Sequence, residues 1–112
     1  MKGSNLGELE ELILLSVASL GNQAYAVSLR SYLLDQVNRK VNISAVHSSL
    51  YRLEKKGYLS SFFGGATQKR GGKQKRYFQV TNAGMAALQE AKTQRELLWK
   101  TIPQLNFSTE PL

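Results

Sequence analysis

Cysteine is absent from the 112-residue chain. Disulfides, thiol catalysis and the usual structural zinc sites go with it. Histidine occurs once, at His47, and aspartate once, at Asp35. A multi-histidine metal site within one chain is excluded, and no spacing assembles nucleophile, base and orienting group. The P-loop pattern G-x-x-x-x-G-K-[ST] is also missing. The chain is therefore expected to be no enzyme, with no catalytic residue, no metal ligand and no cofactor. No apolar run approaches the roughly 20 residues of a membrane span. The first residues, Met1-Lys2-Gly3-Ser4-Asn5, lack the apolar core and cleavage site of a signal peptide. A cytoplasmic location without a membrane partner is the expectation.

Acid is missing as well, from Lys55 through Gln89. The formal net charge is +7, and one stretch accounts for all of it. Arg52, Lys55, Lys56, Lys69, Arg70, Lys73, Lys75 and Arg76 face a single acid, Glu54, while bases and acids elsewhere cancel. Localised positive potential suits a polyanion, because neutralising phosphates releases condensed counterions. A solvated basic surface is the plainer reading of any charge run. Nucleic acid is favoured here because the charges fall on two elements suited to reading it.

At 42% hydrophobic and 21% charged residues the chain is globular, and its length fits one domain burying roughly two thirds of its unfolded surface. Asn5 and Glu8 have the form of a helix-capping pair. Leu6, Leu9, Leu12, Ile13 and Val17 then recur at helical steps up to Gly21, with Leu14 and Leu15 widening the apolar surface. So wide a surface predicts a helix that is central or meets a partner subunit. A second helix is expected over residues 24–37, with Tyr25, Leu29, Leu33 and Val37 inward. Ser44 can cap a third, whose inner face is Val46, Leu50 and Leu53 and whose stop is Gly57. Residues 58–63 and 76–81 read as strands, joined by a basic loop between Gly64-Gly65 and Gly71-Gly72. Thr81 or Asn82 caps a last helix that Pro103 ends.

The predicted fold class is mainly α with a small β-hairpin: a winged helix-turn-helix domain plus a long C-terminal dimerisation helix. Its expected divisions are 5–81 for the DNA-binding domain, 82–102 for the dimerisation helix and 103–112 for a flexible tail. In winged helices the third helix enters the major groove and the hairpin lies along the backbone. Double-stranded DNA is thus the expected partner. Turning Val46, Leu50 and Leu53 inward leaves Ser44, Ser48, Arg52 and Lys55 outward, flanked by His47 and Tyr51. Serine can donate or accept at base edges, and arginine can pair with guanine or grip phosphate. A polar outer face is common to surface helices, and His47 is read either as a DNA contact or as an inert exposed ring. The wing is more specific, with Lys69, Arg70, Lys73, Lys75 and Arg76 set around two glycines, able to reach a phosphate chain or the minor groove.

The segments LGELEELILLSVASLG (6–21), VNISAVHSSLYRLEKKGYLSS (41–61) and RGGKQKRYFQVTNAG (70–84) resemble PadR-like winged-helix transcriptional regulators of the short-C-terminus type. The pattern Leu50-x-x-Leu53-Glu54-x-x-Gly57, followed by Arg70-Gly71-Gly72 and Tyr77, carries the resemblance over residues 6–88. It implies a dimeric repressor, joined through the C-terminal helix with help from the first. The chain departs from the family at His47, where a tyrosine commonly follows the valine, and at Ala26, where glycine is common. The first departure bears on the operator sequence. The alternative function is a winged-helix interaction module that binds protein or RNA.

A last helix of roughly 20 residues spans about 30 Å, more than this small core can cover. Leu88, Ala91, Leu98, Trp99 and Ile102 are the expected homodimer interface. In some short PadR-like regulators a tryptophan of this helix holds flat aromatic compounds in a pore between subunits. By that resemblance Trp99 is a candidate ligand-binding residue for a small aromatic effector, although it stands about one turn beyond the usual position. Interface packing is its plainer role.

Overall fold

The structure is a computed structural model, describing residues 6–64 and 74–103. In chain order it has helices α1 (Glu8–Leu20), α2 (Ala26–Val37) and α3 (Ile43–Lys55), strands β1 (Leu59–Gly64) and β2 (Lys75–Val80), and helix α4 (Asn82–Lys100). A short 3-10 turn, Gly21–Gln23, links α1 to α2. This is the expected mainly helical winged helix with a two-stranded antiparallel wing.

Helix α1 starts differently from the expectation. Gly7 is its extended N-cap, and the Gly7 N–H donates to Glu10 Oε1 at 3.0 Å. Glycine has no side chain to return the bond, so only the Glu10 half of a capping box forms. Asn5 lies outside the described residues, and Glu8 pairs with Arg39 instead. The inner face of α1 is Ile13, Leu14 and Val17, all at most 1% exposed, whereas Leu15 is 45% exposed on the opposite side.

Ala24 sits fully buried before α2, and Leu29 and Leu33 continue the core. The expected inward Val37 is exposed. It lies on the final turn, where Asn38 takes a left-handed φ of 54° and Arg39 N–H donates back to Leu33 O at 3.1 Å. That cap turns the chain away before Val37 can reach the core. Asn42, not Ser44, caps α3: its Oδ1 accepts from Ala45 N–H at 2.8 Å. The helix begins one residue after Asn42, which makes Ser44 helical. Val46, Leu50 and Leu53 are buried as expected, and Ser49 joins them with no exposure. Gly57 ends the turn at φ 82°.

The hairpin pairs Leu59 with Val80, Ser61 with Phe78 and Phe63 with Arg76 on one face, and Phe62 with Tyr77 on the other. Leu59 and Phe78 enter the core, and Phe78 N–H donates to Ala24 O at 2.9 Å, tying β2 to the α1–α2 link. Thr81 is the cap of α4, accepting from Gly84 N–H at 3.0 Å while its hydroxyl donates to Gly57 O at 2.6 Å. A Cβ on Gly84 would stand 2.3 Å from Tyr58 O and 2.7 Å from Val80 Cγ1. The first turn of α4 is therefore seated directly on the backbone that starts the wing.

Candidate nucleic-acid interface

Helix α3 segregates its two sides cleanly. Three turns of apolar side chain face the core, while Ser44, His47, Ser48, Tyr51 and Lys55 are exposed. Tyr51 is 64% exposed, with Lys55 Nζ 5.5 Å from its ring centroid. Such a face offers hydroxyls, an imidazole, a phenol and an ammonium along about 20 Å of helix, a set able to meet both base edges and phosphates.

Arg52 is not wholly part of that face. Its Nε donates to Glu10 Oε2 at 2.7 Å, and Lys56 Nζ donates to Glu10 Oε1, also at 2.7 Å. The Glu10 side chain is only 7% exposed. Burial pushes its carboxyl up, but the hydrogen bonds from Lys56, the Gly7 N–H and Arg52 outweigh it and bring the pKa down to about 2. Two of the bases counted in the basic stretch are thus drawn toward α1. The neighbouring acids act alike: Glu8 holds Arg39 at 2.7 and 2.9 Å, and Glu11 holds Arg95 of α4. The Arg39 hydrogen bond lowers the Glu8 carboxyl below its ordinary value. The first turn of α1 is an acidic hub joined to the α2–α3 connector, to α3 and to α4. The sequence signal was present in Glu8, Glu10 and Glu11, but nothing local names their distant partners.

Of the expected wing residues, Lys69, Arg70 and Lys73 lie outside the described residues. Lys75 and Arg76 are exposed at the base of the wing. Arg76 Nη2 donates to Glu54 Oε1 at 3.0 Å, and Ser61 Oγ donates to Glu54 Oε2 at 2.6 Å, locking β1 and β2 to the end of α3. Lys75 Nζ stands 4.4 Å from the Tyr25 ring centroid. Tyr25 meets Tyr77 edge-on at 5.5 Å, and Tyr77 stacks on Phe62 at 5.8 Å. These contacts brace the wing against the start of α2. A shallow cavity of about 370 Å³ lies between α2, α3 and β2, and Tyr25, His47, Tyr51, Lys75 and Arg76 are among its walls. His47 and Tyr51 of the third helix and Lys75 and Arg76 of the wing are therefore brought to one surface.

The last helix divides in two. Leu88 and Ala91, expected at a subunit interface, are each 6% exposed because the chain's own core covers them. From Lys92 to Lys100 every residue is exposed. Leu98 and Trp99 stand 68% and 59% exposed and Ile102 43%, joined by Leu97, which the periodicity had passed over. Trp99 borders a groove of about 530 Å³ between α1 and α4, with Leu15, Ala18, Met85 and Lys92 among its other walls. Among the described residues no group of three or more His, Asp or Glu is placed to hold a metal ion. No single described helix is long and apolar enough to cross a membrane.

No protein-family model matches the sequence, and no curated protein matches it. Solved structures do. A PadR-like transcription factor from Bacteroides fragilis superposes with a TM-score of 0.71 at 26% identity, over 83% of this chain and 84% of its own. A PadR family transcriptional regulator from Eggerthella lenta gives 0.67 at 26% identity, over 91% and 88%. A PadR family transcription regulator from Clostridium difficile gives 0.72 at 21% identity, over 88% of this chain and 98% of its own. The chain is PadR-like in fold.

Proposed function

We propose that the chain is a sequence-specific DNA-binding transcriptional regulator, a twofold dimer acting as a repressor. In this reading the third helix reads an inverted repeat while the basic wing grips the adjoining backbone. The observation that carries it is the bracing of Lys75 and Arg76 beside the exposed His47–Tyr51 face of α3. A hairpin and a polar helix face fixed relative to one another can enter a groove and its flank together. The similarity to PadR-like transcription factors supports the same reading. Such a regulator works where the DNA is, and a cytoplasmic location goes with it.

The dimer is supported by the bare end of α4. Leu97, Leu98 and Trp99 on one exposed helix are an apolar surface that a second copy would cover. Residues 82–102 then serve as the dimerisation element, with Leu98, Trp99 and Ile102 across the interface and Leu88 and Ala91 anchoring the helix to its own domain. Trp99 beside the α1–α4 groove also suits a flat aromatic effector.

Selection of bound duplexes from a random pool tests the reading. An inverted repeat should emerge, its half-sites roughly 34 Å apart, the spacing of successive major grooves. A pool that enriches no sequence, with binding of single-stranded RNA in its place, would favour the interaction-module alternative and sink this one. Sedimentation at tens of micromolar should show a dimer, and a monomer there would remove the inverted repeat.

A further inference from the structure

The described cations divide by their partners. Arg39, Arg52, Lys56, Arg76 and Arg95 are all in ion pairs with glutamates. Arg30 and Lys40 are exposed and form no ion pair with a described residue. They meet in a groove of about 590 Å³ formed by Arg30, Ser31 and Leu34 of α2, by Lys40 and Val41 of the connector, and by Asn42. No acid lines it. Neither cation belongs to the basic stretch of residues 52–76, which is why charge density along the chain does not find them.

We infer that this groove is a second phosphodiester-binding site, gripping the DNA backbone at the start of α3 while the wing grips it near the end. The inference rests on the DNA-binding reading and adds a contact to it. Two cations converge on one open groove, and Ser31 supplies a hydroxyl there. Asn42 uses its carbonyl oxygen to cap α3, which leaves its amide N–H groups to donate. Point charges with neutral donors between them are what a phosphate oxygen needs. Placement favours a duplex over a small free anion. Asn42 immediately precedes α3, and Arg76 is held to Glu54 at the helix's far end, so the two grips bracket the exposed Ser44–Tyr51 face. A 13-residue helix separates them by on the order of 20 Å. A major groove about 12 Å wide has phosphates on both banks, so a helix lying in it brings cations at its two ends to backbone on both.

The test uses the full chain and a mixed-sequence 30-base-pair duplex, with affinity followed by fluorescence anisotropy from 50 to 200 mM salt. The double variant Arg30→Ala/Lys40→Ala is compared with Asn22→Asp/Gln23→Glu, which lowers the net charge by the same two units at exposed positions of the α1–α2 link. Losing two phosphate contacts should flatten the log–log slope by about 1.8 per bound subunit, so that wild type's advantage at 50 mM shrinks by 200 mM about tenfold for each bound subunit. The α1–α2 link variant should keep the wild-type slope. Equal slopes for wild type and the Arg30/Lys40 variant, or equal losses in both variants, would overturn the site and leave the DNA reading standing. A wild-type chain whose duplex binding ignores salt would overturn both. Thermal melts of the variants should match wild type, since all four side chains are exposed.

Discussion

Replacing Glu10 with glutamine should destabilise the chain and remove most of its sensitivity to mild acid. The carboxylate is buried and bridges α1 to Arg52 and Lys56 of the third helix region, with the Gly7 N–H as a third donor. Its pKa falls from an ordinary 4.5 to about 2. That gap corresponds to at most about 3 kcal/mol of stability. Two features reduce the expected loss. Arg52 is half exposed and can return to water, and the glutamine oxygen can still accept from Gly7. A loss of about 2 kcal/mol remains, roughly a 10 °C fall in melting temperature for a domain this size. The folded-state pKa is depressed, so the stabilisation is complete above the unfolded value of about 4.5 and drains away as pH falls toward 2. More than half of it should be gone by about pH 3. Urea denaturation of both proteins between pH 7 and pH 3 measures this directly. The two curves should stand about 2 kcal/mol apart at neutral pH and converge in acid. A variant as stable as wild type at pH 7, or a gap constant with pH, would refute the ion-pair account.

Gly84→Ala should cost about 3 kcal/mol or prevent folding, because its Cβ would collide with Tyr58 O, and a backbone oxygen already accepting from Thr81 N–H cannot yield; a chemical melt reads the effect. Ser48→Ala and His47→Ala should leave thermal stability unchanged, since both are exposed, and should alter preference among selected duplexes by about 1 kcal/mol or less. Unchanged preference in both variants would mean that the reading surface lies elsewhere. Trp99→Ala should weaken the dimer on sedimentation if the indole packs across subunits. An intact dimer that no longer binds a planar aromatic dye, followed by the dye's own fluorescence anisotropy, would assign Trp99 to ligand instead.

The elements were legible wherever local chemistry decides them. Val46, Leu50 and Leu53 recur every three to four residues between good caps, and no tertiary contact is needed to see that they share a face. Gly57, Thr81 and the paired strands follow equally from backbone preferences and alternation. Boundaries failed where two local solutions compete. Asn42 and Ser44 are both sound N-caps, and it is Asn42 that accepts from Ala45 N–H. Val37 has the right spacing for the core, but a left-handed Asn38 ends the helix just after it.

The candidate site was legible only in outline, because charge along a chain is not charge available in space. Arg52 and Arg76 stand among neighbours of like sign, yet each meets a glutamate, one 42 residues away and the other 22. Formal charge counts them fully, whereas a phosphate approaching them must compete with a carboxylate already in hydrogen-bond contact. Leu88 and Ala91 show the same limit for apolar surface: periodicity says they share a face with Leu98, but α1 covers that face for only half its length. Long-range pairing therefore moves candidates in both directions. It pairs the half-exposed Arg52 and Arg76 with glutamates and leaves Arg30 and Lys40, inconspicuous in the sequence, with their charges facing solvent. A count of unpaired cations around α3, rather than of basic residues near it, is what the salt dependence of DNA binding should follow.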